Sequence, residues 1–487
     1  MEDDSASDLQ VFRFNPHCLD NTEDLERYEH GGFHPVHLDD YYDDNRYRVV
    51  HKLGAGGFST VWLAQDLLGQ RWVGLKFIVA TDSENCNARS SVIIADPILA
   101  SSELLVSPER EFWVDGPNGR HLCFVLPFVG PNLATLSSGI YSRISSRLSE
   151  NLSMQAAQAM ALLHSRDRCH GDFTANNTSL AILENIASHS IEDIYRAFGH
   201  PKSGALGLAD PDDPGPGLHA PQYLVQPLDF FASSENILTK EIRILDFDQS
   251  FRCDSPPKRT GTPAKYMAPE VIAGGPPSKA SDVWSLGCTI FRLRAGRDIF
   301  FDYDTFSPAD ALQQIHRFLG DLPDSLGRAL FDAEGYPTED ESGTPLIHFR
   351  EKSDLRAEIK KIWDEPPSLS MRSNGEIDTT VYTHPYNPEN SLFSEEVEKT
   401  TPYPPACRSI CWKPTAVSVD GDHYIFYEDA TSPFWGAFPL ITDDEAELLG
   451  DLLSRIFVYD PSRRPNIQEA LEHPWFKQYG VLSKENI

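Results

Sequence analysis

Basic residues are scarce in this sequence. Its 487 residues include 42 Lys and Arg against 73 Asp and Glu, which gives a formal net charge of −31. A surface so short of cations does not attract phosphate backbones, so the charge balance argues against direct binding of nucleic acid. A negative electrostatic field attracts basic ligands or peptides instead, although an acidic surface can also serve solubility alone.

Cysteines and long apolar runs are scarce as well. Eight cysteines in so long a chain do not indicate a disulfide scaffold. Cys407 and Cys411 are four residues apart, but no second pair follows at zinc-finger spacing. The chain has no apolar run long enough to span a membrane, and its start, Met1–Asp4, lacks the basic residues of a signal peptide. We therefore expect free thiols, no membrane partner, and a location in the cytoplasm, the nucleus or both.

The residues that are present can build a large core, since 40% are hydrophobic and 11% aromatic. Short β-type runs begin at Tyr47, and apolar residues repeat at helical spacing from Leu152 to His164. Strands are predicted at Tyr47–Leu53, Ser59–Ala64, Arg71–Val79 and Leu122–Leu126. The predicted organisation is an acidic lead-in over 1–46, a small β-rich lobe over 47–128, a larger helical lobe over 129–476 with insertions at about 185–235 and 302–437, and a tail over 477–487.

A glycine-rich turn between the first two predicted strands is a candidate phosphate-binding element. Residues without a Cβ let backbone N–H groups approach phosphate oxygens closely, although a glycine hairpin alone is more often only a turn. Lys76 follows on the third strand, where a lysine is usually a surface residue with a buried stem. Its distance from the hairpin along the chain matches that of a lysine which binds ATP phosphates. The candidate nucleotide-binding residues are Leu53, Gly54, Ala55, Gly56, Gly57, Phe58, Ser59, Thr60, Val61 and Lys76.

Two later motifs contain the carboxyl and amide groups that phosphoryl transfer from ATP requires. They are HGDFTANN over residues 170–177 and LDFDQSF over residues 245–251. Asp172 is the candidate catalytic base, together with Lys76 as a second catalytic candidate, and Asn177 and Asp246 are candidate ligands of Mg²⁺. Asp172 or Asn177 alone is more easily explained as a loop cap. The expected cofactors are ATP and Mg²⁺.

Three further motifs follow in the order that is typical of protein kinases. They are Met267–Glu270, Asp282–Gly287 and Asp460–Pro465. Glu270 and Arg464 match the buried ion pair that ties the activation segment of such kinases to the helical lobe. The ordered set predicts an α+β, bilobal protein-kinase fold with a small β-rich lobe and a larger α-helical lobe.

Several segments also resemble the SR-protein kinase family in particular. They are Phe33–Asp39, Arg46–Leu53, Gly57–Ala64 and Gly116–Cys123, with Ser59 in place of a third loop glycine. The resemblance runs from about Gly31 to Phe476. It implies a monomeric serine/threonine kinase that phosphorylates basic Arg/Ser-rich protein segments, in control of mRNA splicing. The acidic charge agrees with a basic substrate.

The chain departs from the kinase pattern at several positions. Gly171 stands where an Arg usually precedes the catalytic Asp, and Thr174 replaces a Lys that commonly neutralises the γ-phosphate. Asp248 replaces the Gly after Asp246-Phe247, which is expected to strain a left-handed turn. The segment after Lys76 is short, and Arg89–Ile94 contains no glutamate to pair with that lysine; Glu103 comes late.

These departures leave two functional hypotheses open. The first is an active serine/threonine kinase of the SR-protein-kinase type, favoured by the joint retention of Lys76, Asp172, Asn177 and Asp246. The second is a pseudokinase that binds nucleotide or a protein partner with little or no phosphoryl transfer, favoured by Thr174 and the missing glutamate.

Overall fold

The structure is a computed structural model that describes most of the chain. The described ranges are 12–15, 19, 21–86, 96–138, 142–210, 212–233, 237–302, 305–346, 352–364, 410–412, 417–418, 424–425 and 440–480. The chain divides into two compact units, the first with residues 1–95, 106–129 and 182–237 and the second with residues 96–105, 130–181 and 238–487. The cysteines within the described ranges are free thiols, whereas Cys407 lies outside those ranges. Every described helix is too short or too polar to cross a bilayer.

The first unit is built on a six-stranded antiparallel sheet with the order β1-β2-β3-β4-β6-β5. Its strands are β1 (Tyr41–Tyr42), β2 (Tyr47–Ala55), β3 (Ser59–Asp66), β4 (Arg71–Ile78), β5 (Arg110–Gly116) and β6 (Gly119–Pro127). The four strands predicted from the sequence correspond to β2, β3, β4 and β6 and are confirmed. Together with the helices of the second unit, the sheet confirms the mixed α+β class.

One large buried cluster packs on one face of the sheet. Aromatic and β-branched residues, which suit a pleated and half-buried surface, supply most of it. Its buried members are Val36, Tyr47, Val49, Trp62, Ala64, Val73, Leu75, Phe77, Cys123, Val125 and Val225. Val225 is the member that lies far from the sheet in sequence.

Residues 182–237 belong to the first unit, although the segments on either side of them belong to the second. This insertion contains the helix Ile191–Phe198 and an antiparallel hairpin of Ser203–Ala205 with Tyr223–Val225. Asn118 at the β5–β6 turn donates hydrogen bonds to the carbonyl oxygens of Phe33 and His219, at 2.6 and 2.7 Å. The insertion is therefore an integral part of the core of this unit.

The second unit is mainly helical. Its helices are Pro97–Ala100, Leu133–Leu136, Ser146–Ser165, Pro269–Ile272, Lys279–Ala295, Pro308–Leu319, Asp324–Gly327, Leu355–Lys360, Asp443–Ile456, Ile467–Leu471 and Pro474–Tyr479. Its short strands are Arg143–Ile144, Arg168–Cys169, Thr178–Ile182, Leu238–Ile244, Phe251–Arg252, Leu330–Phe331, Pro337–Thr338, Thr344–Pro345, Cys411–Trp412, Val417–Ser418 and Tyr424–Ile425.

The helix Lys279–Ala295 is the central element of this unit and packs against Ser146–Ser165. Ser278 caps its first turn in a capping box, and Gly296, with a φ of 70°, ends it in the left-handed conformation that glycine adopts without strain. Arg294 near its end makes a bidentate ion pair with Glu445, both hydrogen bonds being 2.8 Å long, and both side chains are buried. The pair joins this helix to Asp443–Ile456.

Glu150 is a buried carboxyl group close to that ion pair. Its side chain is 3% exposed, and its Oε2 atom has no hydrogen-bond partner among the described residues. Burial, reinforced by the nearby charge of Glu445, raises the pKa of Glu150 from 4.5 to about 8. Between these values the folded state holds a proton that the unfolded state has released, so stability falls as pH rises through this window.

We expect Glu150→Gln to stabilise the protein at alkaline pH. At pH 8.5 the free energy of unfolding should rise by about 1–3 kcal/mol, because a neutral amide replaces a buried carboxylate. Near pH 5 the change should be close to zero. Thermal and urea unfolding at both pH values measure the difference, with the exposed substitution Glu447→Gln as control. An equal effect of Glu150→Gln at the two pH values would contradict the assignment.

Candidate active site

The glycine hairpin connects β2 and β3 and contains most of the residues that were predicted to bind phosphate. Gly54 lies opposite Val61 and Ala55 opposite Thr60 in the ladder, and the N–H of Gly56 donates to the carbonyl oxygen of Ser59 at 2.9 Å. A Cβ placed on Gly54 or Gly56 would have no heavy atom within 4 Å. This open space beside the backbone suits the approach of phosphate oxygens. The remaining predicted residues, Leu53, Gly57, Phe58 and Ser59, lie in the same hairpin.

Lys76 lies on β4, opposite Val61 of β3 and Phe124 of β6. It is 8% exposed, so its charge is held among sheet residues and not in solvent. Val61 is thus a neighbour both of the hairpin and of the lysine, and the sheet places these predicted residues side by side. This arrangement lies wholly within the first unit.

Two glutamates of the segment that follows Lys76, Glu84 and Glu103, are exposed. Glu84 lies on the helical residues 80–86, and Glu103 lies in a turn. The segment Arg89–Ile94, which contains no glutamate in the sequence, lies outside the described ranges.

Asp172 and Asn177 come together in the second unit. The Asn177 side-chain amide donates to Asp172 Oδ2 at 2.8 Å and to the carbonyl oxygen of Asp172 at 2.9 Å. The carbonyl oxygen of Asn177 accepts from the N–H of Leu245, at 2.8 Å. That bond places the loop directly beside Asp246, the second predicted metal ligand. The structure therefore brings the three predicted residues of this unit close together.

His170 supports this loop as a neutral side chain. Burial lowers its pKa, and its Nδ1 accepts from the N–H of Asp172 at 3.2 Å. Its Nε2 therefore carries the proton and donates to the carbonyl oxygen of Leu245, at 3.1 Å. One imidazole thus links the two motifs that contain Asp172 and Asp246.

Asp282 fixes the backbone of the same loop, a role that the sequence reasoning did not assign to it. Its two carboxylate oxygens accept from the N–H groups of His170 and Gly171, at 2.8 and 3.1 Å. His164 also bonds to it, at 3.1 Å, and Asp282 is only 3% exposed. The signal was present in the sequence, since Asp282 opens one of the ordered motifs.

Gly171 adopts a left-handed conformation with a φ of 77°. A Cβ at this position would lie 2.4 Å from the backbone carbonyl oxygen of Gln249. The glycine therefore lets the loop pack tightly against the segment that follows Asp246. Gly171 therefore does more than remove an arginine: it permits a backbone approach that a residue with a Cβ would block.

Thr174 is turned into the loop. It is 1% exposed, its Oγ1 accepts from the N–H of Asn177 at 3.3 Å, and its carbonyl oxygen accepts from the Thr178 hydroxyl at 3.0 Å. The side chain thus stabilises the turn that presents Asn177. It supplies no positive charge where a lysine is common.

The strain expected at Asp248 is not there. Asp246 is the residue with the left-handed backbone, with a φ of 61°, and Asp248 lies inside the short 3-10 helix Phe247–Gln249. A helical position accepts aspartate without a steric cost, so this expectation was wrong. Phe247 packs against His170, with ring centroids 5.0 Å apart.

Two interactions fix the segment that follows. The hydroxyl of Thr262 donates to the carbonyl oxygen of Gly171, which joins this segment to the loop that contains Asp172. Glu270 and Arg464 form the predicted ion pair, with hydrogen bonds of 2.6 and 2.5 Å, and the Arg464 side chain is fully buried. The Arg464 guanidinium also packs on the Trp284 ring, 5.0 Å from its centroid.

Residues 233–476, just over half of the chain, match the model of the protein kinase domain family. The chain belongs to the protein kinase family. Within the matched range the kinase contains Asp246, Asp282 and the Glu270–Arg464 pair; the glycine hairpin, Lys76, Asp172 and Asn177 precede it. Kinases of this family use ATP and a divalent metal ion to phosphorylate proteins.

Curated relatives place the kinase near the SR-protein kinases. It is 28% identical over 320 residues to the serine/threonine-protein kinase SRPK of Physarum polycephalum, covering 62% of this chain and 74% of the relative. It is 30% identical over 175 residues to the protein kinase dsk1 of Schizosaccharomyces pombe (34% and 32% covered). It is 31% identical over 168 residues to the human SRSF protein kinase 3 (33% and 30% covered). In the latter two, the match spans about a third of the relative's length. These similarities support a divergent serine/threonine kinase.

We expect Arg464→Gln to destabilise the kinase strongly. The substitution leaves the Glu270 carboxylate without its bidentate partner, which should cost about 3–5 kcal/mol of unfolding free energy. Thermal and urea unfolding measure the loss. The neighbouring Arg463→Gln, at an exposed position, is the matched control and should change stability by less than about 0.5 kcal/mol. Equal effects of the two substitutions would show that the pair is not a stabilising anchor.

Proposed function

We propose that this kinase transfers the γ-phosphate of ATP to serine or threonine residues in basic, Arg/Ser-rich protein segments. The observation that carries the proposal is the Asp172–Asn177 arrangement, in which the side-chain amide of Asn177 holds the carboxylate and the backbone of Asp172 together. A carboxylate held in one orientation can accept the proton of a substrate hydroxyl.

The loop can also supply ligands to a divalent metal ion. The amide nitrogen of Asn177 is engaged by Asp172, so its amide oxygen is the atom that would bind a metal, together with the Asp246 carboxylate. These hard oxygen ligands suit Mg²⁺, which neutralises charge on the phosphates when bound. The left-handed backbone of Asp246 fixes the position of its carboxylate relative to the strand that ends at Ile244.

The first unit supplies groups for binding the phosphates. Open space beside Gly54 and Gly56 allows backbone N–H groups to face phosphate oxygens, and Lys76 provides a largely buried cation on the adjoining strand. Groups held in a sheet before the nucleotide binds lose little entropy on binding.

Two observations support the basic substrate class. The chain carries a net charge of −31, which attracts cationic peptides. Its relatives include proteins named as SR-protein kinases. From the family resemblance we also propose a role in mRNA splicing, action as a monomer, and a location in the cytoplasm, the nucleus or both.

A pseudokinase that binds nucleotide is the second candidate function. Thr174 is buried within the loop and offers no cation to the γ-phosphate. Weaker stabilisation of the charge that develops during transfer lowers the rate by roughly one to three orders of magnitude. In addition, the sequence segment Arg89–Ile94 contains no glutamate. These features favour slow transfer or none.

Asp172→Asn is expected to lower phosphoryl transfer about 10²- to 10⁴-fold, because the amide cannot accept a proton. The substitution keeps the size of the side chain and an oxygen that can accept from Asn177. Incorporation of labelled phosphate from ATP with Mg²⁺ into an Arg/Ser-repeat peptide measures the change. Equal, background-level labelling by both proteins would refute the enzyme, and thermal stabilisation by ATP in the same samples would then support the pseudokinase.

The substrate class is tested separately with two peptides of equal length and serine spacing. We expect kcat/KM for an Arg/Ser repeat to exceed that for a Glu/Ser repeat by at least about tenfold, because the acidic kinase attracts the first and repels the second. The advantage should shrink as salt is added, since screening weakens the attraction. Equal use of the two peptides would contradict the proposed substrate class while leaving the kinase activity intact.

A further inference from the structure

The segment Glu23–Phe33 forms a compact turn ahead of the sheet and within the same unit as the glycine hairpin. It begins with a short 3-10 helix, Leu25–Arg27, whose first turn is capped by the Asp24 side chain. The chain then folds back so closely that a Cβ on Gly32 would lie 1.9 Å from the carbonyl oxygen of Arg27. Only glycine fits at this approach, so the turn has a defined shape.

A buried ion pair anchors this segment to the sheet. Glu23 pairs with Lys52, and their side chains are 1% and 0% exposed. The Tyr28 hydroxyl donates to the other carboxylate oxygen of Glu23, at 2.5 Å. Lys52 directly precedes Leu53, the first residue of the predicted phosphate-binding hairpin. The anchor therefore lies next to the base of that hairpin.

Arg27 reaches from the anchored segment to the tip of the hairpin. Its guanidinium lies 4.9 Å from the ring centroid of Phe33 and 5.8 Å from that of Phe58. Its Nη1 would be 3.6 Å from a Cβ on Gly57. Phe58 is 64% exposed, and no carboxylate among the described residues forms an ion pair with Arg27. The cation is thus engaged by two aromatic rings, Phe33 of the anchored segment and Phe58 at the hairpin tip.

The same turn is bonded to residues that directly follow β4, the strand that carries Lys76. The carbonyl oxygens of Gly31 and Gly32 accept from the N–H groups of Thr81 and Ala80, at 3.0 and 3.1 Å. The N–H of Val79 donates to the carbonyl oxygen of Phe58, at 3.0 Å. The residues that directly follow β4 are therefore bonded both to the segment and to the hairpin tip.

We propose that Glu23–Phe33 is a brace that holds the glycine hairpin in its phosphate-binding conformation, with Arg27 as a positioning residue that acts through Phe58. The proposal rests on the proposed role of the hairpin in binding ATP. A hairpin rich in glycine loses much conformational freedom when it closes on a ligand. A brace that restricts the hairpin beforehand reduces this loss and so strengthens phosphate binding.

The test compares Arg27→Gln, Phe58→Leu and the double variant in the full chain. Calorimetry measures the Kd for ATP with Mg²⁺ and the Kd for adenosine. We expect each single variant to weaken ATP binding about three- to tenfold, the range that loss of a cation–π contact permits. Adenosine affinity should change less than about twofold, because it carries no phosphate. The double variant should be no weaker than the weaker single variant, since both changes remove one interaction.

Two further variants make the comparison specific. Arg27→Lys keeps a cation and should recover part of the ATP affinity. Arg120→Gln removes another arginine that packs on an aromatic ring, that of Trp113, 4.4 Å from its centroid, and should leave ATP binding unchanged. Thermal unfolding without nucleotide establishes that each variant is folded. If Arg27→Gln does not fold, Phe58→Leu, which changes an exposed side chain, still tests the proposal.

Three results would overturn the brace: unchanged ATP affinity in folded Arg27→Gln and Phe58→Leu, equal losses for ATP and adenosine, or additive losses in the double variant. Its failure is distinguishable from failure of the kinase activity, because binding does not require transfer. A wild-type protein whose ATP affinity depends on Arg27 but which phosphorylates nothing would keep the brace and refute the enzyme. Where transfer occurs, the KM for ATP should rise in Arg27→Gln while kcat stays unchanged.

Discussion

The geometry of the loop that contains Asp172 depends on the carboxylate of Asp282. By accepting two successive backbone N–H groups, from His170 and Gly171, it fixes the peptide planes just before Asp172. A carboxylate that is 3% exposed makes such bonds strong, because little water competes for them. The imidazole of His170 links this fixed backbone to Leu245, next to Asp246, and the amide of Asn177 holds the carboxylate of Asp172.

The sequence predicted those parts of the site that depend on residue type and order. Strands β2, β3, β4 and β6 followed from short β-type runs of residues, and the Glu270–Arg464 pair followed from motif order. The backbone state of Asp248 could not be obtained this way, because a motif does not show which residue of a turn takes the left-handed conformation. The structure assigns that conformation to Asp246.

Other features depend on contacts between distant residues and leave no local pattern. The inward orientation of Thr174 depends on hydrogen bonds within one folded loop. The position of residues 182–237 in the first unit depends on partners more than a hundred residues away, such as Phe33 and Lys52. The position of Arg27 beside Phe58 likewise requires the glycine turn that follows it. Spacing in a single sequence identifies none of these contacts.

The first unit is built from segments that are far apart in the sequence, and this affects how it folds during synthesis on the ribosome. Val225 and Leu224 complete its buried clusters, yet they follow the sheet strands by about a hundred residues. The sheet emerges from the ribosome with part of its apolar surface uncovered until the insertion has been made. During that interval the nascent chain exposes a surface that chaperones recognise. Translation through residues 182–237 therefore sets the earliest moment at which this unit can close.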